Sequence, residues 1–341
     1  MKEKRGFGFQ WHLTERCDQK CKHCYSVAEQ KNHLVKEALS VKQCFKIVDK
    51  ILMFCKKTKC YPGINISGGD PLLVDYFWDI AEYLKKKGLK FSILGNPFHL
   101  DKATCDRLVN LGCESYQMSL DGLAKTHDLI RKRGSFRATI DAIELLKSAG
   151  IRVAIMNTIS AINFSELNKL IWLVTDLRVD LFGFARYCPT SSNLLNMIRP
   201  PDYRNLLEEV WETYSSLSDN KTIFSLKEHL FKLLLYEKGL FKPSSKQIVV
   251  DGCGCGIRHC AILPDGQVFA CRRFVSPVGN LNTSTMEEIF FGDEMAKYRQ
   301  IETLEGCKDC KLLYCCRGCH ATSYGAFGSF FAKDPQCWKL P

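Results

Sequence analysis

From residue 7 to about residue 218, short apolar runs alternate with longer amphipathic stretches. Phe7, Phe9, Trp11 and Leu13 recur at every second position, the pattern of a half-buried strand. The same reasoning predicts strands at Phe7–Thr14, Tyr61–Ile66, Lys90–Leu94, Ser115–Ser119, Arg152–Ile159 and Leu181–Ala185. Between and after them, a helical period runs through Val41–Lys56, Tyr76–Lys87, Lys102–Leu111, Phe136–Ala149, Ser165–Leu177 and Asp202–Tyr214. Gly88, Gly112 and Gly150 stand where three of these helices would be capped. Six strand–helix repeats predict an α/β fold with a parallel sheet and right-handed crossovers, a partial (β/α)6 TIM-like barrel. In such barrels the chemistry lies at the carboxyl ends of the strands.

Beyond the repeats, a helix is predicted over Ile223–Glu237, followed by the turn-rich Lys242-Pro243-Ser244-Ser245. The chain is therefore expected to divide into a barrel over 1–220, a linker over 221–250 and a second domain over 251–341. Ten of the 19 cysteines lie in that last segment. One hairpin is expected there, Ala261–Leu263 with Gln267–Ala270 around Pro264-Asp265-Gly266, and one helix near Met286–Phe291; the rest reads as loop. A segment with so little apolar periodicity is expected to need metal for its fold.

Length and composition fit a globular protein of 341 residues with 46% hydrophobic and 25% charged positions. No apolar run approaches the roughly 20 residues of a membrane span. The first residues lead into a strand pattern rather than a signal-peptide core, so the protein is expected to be cytoplasmic. A reducing compartment argues against a disulfide framework and turns the cysteine count toward metal. Net charge is +11, and residues 1–60 alone carry fourteen Lys/Arg against six Asp/Glu. Solvated lysines explain most such surpluses; an acidic partner is the rarer cause.

The densest chemistry is Cys17-Asp18-Gln19-Lys20-Cys21-Lys22-His23-Cys24. Three thiolates are one fewer than an iron–sulfur cube normally takes, which leaves one iron open. A zinc knuckle is the rival reading, but zinc prefers four ligands and no further Cys or His follows at finger spacing. The triad also falls just past the first predicted strand, where barrel chemistry belongs. The motif resembles the signature of the radical S-adenosylmethionine (radical SAM) enzymes, whose open iron binds the amino and carboxylate groups of SAM.

That resemblance extends along the barrel. Gly68, Gly69, Asp70 and Pro71 are similar to the family's Gly-Gly-Glu-Pro turn, which receives the SAM amino group. Ser119, Asp121 and Arg131, with His127 beside them, resemble the stretch that approaches the SAM carboxylate and ribose; bidentate arginine suits a carboxylate. The resemblance further implies SAM-facing positions for Asn157 and Arg186, and a place for the rings of His23 and Tyr25 near the cluster and adenine.

The tail, Cys253 to Cys337, resembles the SPASM domain of radical SAM peptide maturases, which carries two auxiliary four-iron clusters. Carried over, Cys253, Cys260, Cys271 and Cys319 would hold one cluster, and Cys307, Cys310, Cys316 and Cys337 the other. Cys255 and Cys315 are extra, so Cys255 competes with Cys253 and Cys315 with Cys316. Two structural zinc sites are the alternative, since Cys-x2-Cys pairs also serve zinc. Cys188 lies past the sixth strand and is considered as a proton or hydrogen-atom donor. Cys44, Cys55, Cys60, Cys105 and Cys113 read as small buried hydrophobes.

The implied function is a peptide-modifying radical SAM enzyme, a ribosomal peptide maturase, with SAM and three 4Fe-4S clusters as cofactors. Its expected partners are a precursor peptide and an electron donor such as a reductase, flavodoxin or ferredoxin, with neither membrane nor nucleic acid. An enzyme acting on tetrapyrrole (haem-type) side chains is the alternative, because propionates are acidic and the chain is basic. A sulfatase maturase would be expected to carry Asp after Cys271; Arg272 and Arg273 stand there and are expected to meet an acidic substrate group. A metal-structured RNA-binding protein lacks a supporting aromatic motif.

Overall fold

A computed structural model of the chain describes residues 6–25, 38–189, 196–217 and 220–339. In chain order the strands are β1 (Gly6–His12), β2 (Tyr61–Ser67), β3 (Phe91–Leu94), β4 (Cys113–Ser119), β5 (Arg152–Ile159), β6 (Leu181–Arg186), β7 (Ile223–Phe224), β8 (His259–Ile262), β9 (Gln267–Phe269) and β10 (Pro277–Asn280). The architecture is α/β with parallel strands, as the periodicity predicts. It forms two compact units. The first comprises Met1–Met118, Arg137–Val153 and Cys255–Arg299; the second comprises Ser119–Phe136, Ala154–Gly254 and Gln300–Pro341. The cysteine-rich tail is thus divided between them.

In the first unit the strand order is β10-β9-β8-β1-β2-β3-β4. β1 pairs in parallel with β2 on one side and β8 on the other, while β8, β9 and β10 run antiparallel. Phe7 and Phe9 on β1 pack against Phe54 of the helix Val41–Thr58, with ring centroids 5.1 and 6.2 Å away. Ser40 and Gln43 start that helix with a reciprocal capping box. Lys50, from its middle, donates to the carbonyls of Leu281 and Ser284.

In the second unit β5, β6 and β7 pair in parallel. Here the predicted helix over Ile223–Glu237 is corrected: Ile223 and Phe224 form β7, and the helix covers only Phe231–Glu237. The reason is local. Ile223 N–H donates to Asp180 O at 3.0 Å and Ser225 N–H to Phe182 O at 2.8 Å, while Phe224 stacks on Tyr214 at 4.3 Å. A β-branched and an aromatic residue gain more from that edge than from a helical turn. The tail also holds more regular structure than a loop reading allows: β10, and the helices Asp293–Ala296 and His320–Phe327. The helix Ala124–Ile130 is likewise absent from the sequence-level prediction.

The interior of the second unit is organised by one carboxylate. Asp334, 3% exposed, accepts from both terminal nitrogens of Arg186 at 2.7 Å, from Cys319 N–H at 2.7 Å and from Gln336 N–H at 2.9 Å. Glu228 approaches the same guanidinium at 3.1 Å, and Tyr203 lies under it with its centroid 5.2 Å away. Removing one partner of a buried ion pair strands the other charge, at about 3–5 kcal/mol. Asp334→Ala should therefore lower the urea midpoint by that equivalent. A change near zero would show that Glu228 alone neutralises Arg186.

Candidate functional site

In the first unit the triad follows β1 directly, and the chain between them is clamped to the end of β2. Gly69 N–H donates to Thr14 O at 2.7 Å and Asp70 N–H to Arg16 O at 2.8 Å. This contact explains the paired glycines. Gly68 has φ +149°, and a Cβ on Gly69 would stand 2.0 Å from the Arg16 carbonyl oxygen. Asp70 then caps the short turn Pro71–Leu73, accepting from Leu72 N–H at 2.9 Å and from Asn96 N–H at 2.7 Å. Asn96 donates to Asp18 at 2.6 Å, which ties the triad loop to the end of β3. Nothing in the spacing of Asn96 or Asp18 marks them; only the folded chain joins them.

Within the triad loop, Cys24 N–H donates to Cys21 O at 3.1 Å, and Gln19 N–H to Cys17 Sγ at 3.4 Å. Burial pushes the Cys17 thiol above its ordinary range, while that N–H favours its thiolate. His23 and Tyr25 are half-buried beside it. Arg272 lies over the Tyr25 ring at 5.3 Å and pairs with Glu15 at 3.0 Å. The expectation that Arg272 meets a substrate acid is corrected here, since a residue 3% exposed already has its carboxylate.

His12, the last residue of β1, is fully buried, and neither ring nitrogen has a hydrogen-bond partner. Burial, then Arg272 and His259, hold its pKa well below the usual imidazole value. Nothing in the sequence marks it, because a lone histidine in a strand carries no motif.

In the second unit, Asp121 is fully buried and pairs with Arg131 at 2.5 Å, while accepting from Thr158 N–H at 2.8 Å. His127 Nδ1 accepts from Asp121 N–H at 3.0 Å, and its Nε2 meets Ser135 Oγ at 3.0 Å. His127 is thus a brace of the turn after β4. Asn157 donates to Leu120 O at 2.9 Å, leaving its Oδ1 buried and without a partner. Ser119, the last residue of β4, is half-buried. Arg186, by contrast, is committed to Asp334 and Glu228. Cys188 has two long contacts, 3.8 Å to Arg186 O and 3.7 Å to Thr322 Oγ1.

The tail cysteines are arranged unevenly. Cys307, Cys310, Cys316 and Cys337 line one pocket in the second unit, walled by Leu230, Leu233 and Leu312. Burial pushes Cys307 up to about 12 and raises Cys316 and Cys337 as well. Lys339 Nζ donates to Cys310 Sγ at 3.3 Å. Cys315 is not in that lining; its thiol turns to Leu312 O at 3.5 Å. Arg317, with φ +67°, donates to the carbonyls of Leu313, Asp251 and Cys253, each at 2.9 Å, and so fixes the loop of Cys253.

In the first unit, Cys255 is buried and bridged to His259, and Cys271 N–H donates to Ser276 Oγ at 3.1 Å. Cys260 stands opposite Phe9 across the β1–β8 pair, on the face covered by the helix Val41–Thr58, with Cys55 near it. Its thiol is turned away from the face where His259 lies over Gly8.

Among the described residues, no three Cys, His, Asp or Glu side chains converge closely enough for a single metal ion. The triad and the four cysteines of the shared pocket still fit iron–sulfur clusters, because a cube gives each thiolate its own iron. The expectation that Cys260 is a ligand is corrected, since its thiol faces the apolar side that packs on the helix Val41–Thr58. The unpartnered atoms of His12 and Asn157 are the kind of buried polar group that a bound ligand satisfies.

Comparison with known proteins agrees with this chemistry. The radical SAM superfamily pattern matches residues 11–171, and that of the SPASM iron–sulfur cluster-binding domain matches residues 253–311. The chain belongs to the radical SAM superfamily. It is an enzyme of that family, with a SPASM domain. It is 26% identical to an AdoMet-dependent heme synthase of Methanosarcina barkeri, over 97% of this chain and 96% of that protein. It is also 26% identical to the mycofactocin maturase MftC of Mycolicibacterium smegmatis, over 96% and 83%. Among solved structures, Streptococcus suis SuiB bound to precursor peptide SuiA shares the fold, with TM-score 0.77 and 18% identity over 98% of this chain and 76% of that one. The radical SAM enzyme has, among its described residues, no helix long and apolar enough to cross a membrane.

Two outcomes test the site. Cys316→Ser should lose about four iron atoms, one cluster's worth, from the reconstituted enzyme, whereas Cys315→Ser should keep them; equal losses would return Cys315 to the ligand set. The second concerns Asp70, whose carboxyl is raised to about 6, chiefly by burial. A carboxyl raised above its unfolded value of about 3.9 holds its proton in the fold, so its contribution to stability falls as pH rises from about 4 to about 6. Denaturation midpoints should therefore fall for wild type relative to Asp70→Asn across that window. A constant difference would mean that Asp70 stays ionised.

Proposed function

We propose that this radical SAM enzyme oxidatively modifies a peptide. The observation that carries the choice is the pairing of two buried arginines and one partly buried arginine with carboxylates of the same chain. Arg272 is paired with Glu15, Arg186 with Asp334 and Glu228, and Arg131 with Asp121. None of the three is left to greet the propionates of a tetrapyrrole, although the chain as a whole is basic. A maturase relative and the shared fold of a precursor-peptide complex support the same reading.

Cys17, Cys21 and Cys24 would hold the cluster that binds SAM, with His23, Tyr25 and the Gly68–Pro71 turn beside it. Bound there, SAM and the reduced cluster would supply a 5′-deoxyadenosyl radical, which the protein directs at one carbon. The Gly68–Asp70 clamp holds the start of the triad loop to β2, so backbone bonds fix the segment that would carry the cluster's thiolates. Cys307, Cys310, Cys316 and Cys337 would hold an auxiliary cluster able to take an electron from the substrate. The leucines in its lining would lower the local polarity, which tunes a cluster's potential.

A second reading, a tetrapyrrole substrate, is favoured by the near full-length match to the heme synthase. One anaerobic experiment separates them. Reconstituted enzyme receives SAM and dithionite, with either a synthetic peptide from a short reading frame beside its gene or iron coproporphyrin III. Peptide-dependent release of 5′-deoxyadenosine, with a mass change on the peptide, is the expected result. Stimulation by the porphyrin alone would replace the peptide reading. The triple variant Cys17→Ala, Cys21→Ala, Cys24→Ala should release none with either.

A further inference from the structure

The helix Val41–Thr58 ends at Lys59, a non-glycine residue in the left-handed region at φ 55°. Cys60 N–H then donates back to Cys55 O at 3.1 Å. This six-to-one bond around a left-handed residue is the Schellman ending, whose hallmark is a side-chain contact between the two residues it joins. Those residues are usually hydrophobes. Here both are cysteines, brought together by the backbone bond that joins them. Cys55 is 4% exposed, whereas Cys60 is half-buried, with its sulfur 3.2 Å from Thr58 Oγ1. Thr58 is itself fixed by donating to Phe54 O at 2.7 Å.

Neither cysteine belongs to a cluster ligand set, although Cys260, a ligand expected from the sequence, lies near Cys55. The helix covers the β1 face that carries Phe7 and Phe9, and Cys260 is the third thiol near Cys55. One half-buried thiol and one buried thiol, on residues joined by a backbone bond across a helix cap, suit an attacking cysteine and its resolving partner.

We propose that Cys55 and Cys60 form a peroxide-oxidisable dithiol that closes to a disulfide across the end of this helix. Cys60 sulfur, as thiolate, attacks hydrogen peroxide; the O–O bond breaks and hydroxide leaves, taking up the proton that Cys60 gave, to yield a sulfenic acid and water. Cys55 sulfur then attacks the Cys60 sulfur. The S–O bond breaks, the Cys55 proton joins the departing hydroxide, and a second water leaves. Two thiols are oxidised by two electrons and one peroxide is reduced to two waters. The bond ties the helix end to the first residue before β2, on a segment that uses no cluster ligand. This inference is independent of the substrate reading.

The test uses the purified full-length enzyme, treated with hydrogen peroxide, alkylated with iodoacetamide under denaturing conditions and digested with trypsin without reductant. Cleavage after Lys50, Lys56, Lys59 and Lys85 places the two cysteines in separate peptides, 51–56 and 60–85. The expected product is these two peptides joined, two hydrogens lighter than their sum, with separately alkylated forms reduced by about tenfold and restored by dithiothreitol. Cys60→Ser should abolish the joined species, and Cys113→Ser should leave it unchanged. Should Cys60→Ser fail to fold, the wild-type digest still decides. Both peptides recovered singly, or Cys60 joined to a different cysteine, overturns the proposal.

Discussion

The constraint on which the first unit turns is the approach of Gly69 to the carbonyl of Arg16. A backbone-to-backbone contact this close excludes any side chain, and it joins the end of β2 to the segment that carries the triad. Asp70 continues the clamp with two accepted N–H bonds, and Asn96 extends it through Asp18 into the loop itself. Cysteine ligands on a loop are precise only if the loop is held, and here it is held by three strand ends at once.

The second unit solves the same problem with charge. Asp334 gathers Arg186 and two backbone N–H groups at the base of the segment bearing Cys319, and Arg317 binds three carbonyls on the loops flanking Cys316 and Cys253. Arg186 meets two carboxylates and Arg317 three carbonyls, so neither buried charge is left alone. The four cysteines that share a cavity therefore sit on a frame that ion pairs and backbone bonds hold together.

Much of this was legible in the residues. The period-two run of β1, the six repeats and the triad spacing all lead to a parallel α/β fold with chemistry at its strand ends. What was not legible depends on contacts far apart in sequence. Ile223 and Phe224 read as the start of a helix because only the free edge of β6 makes them a strand. Arg272 and Arg186 read as ligand-binding because nothing in the chain announces Glu15 or Asp334 as their partners. Cys316 and Cys315 are indistinguishable by spacing, and only the direction of each side chain separates them.

The parallel pairing of β1 with β8 has a consequence for how the chain is made. Strands separated by about 250 residues share one ladder, so β1 leaves the ribosome long before its neighbour exists. During that interval one edge of β1 is an open template, beside a face rich in Phe7, Phe9 and Trp11. Such edges are where nascent chains pair wrongly. The closure of so large a loop also makes this ladder a late event in folding. The short β8, only four residues long, is the lock that seals an edge the N-terminus has carried from the start.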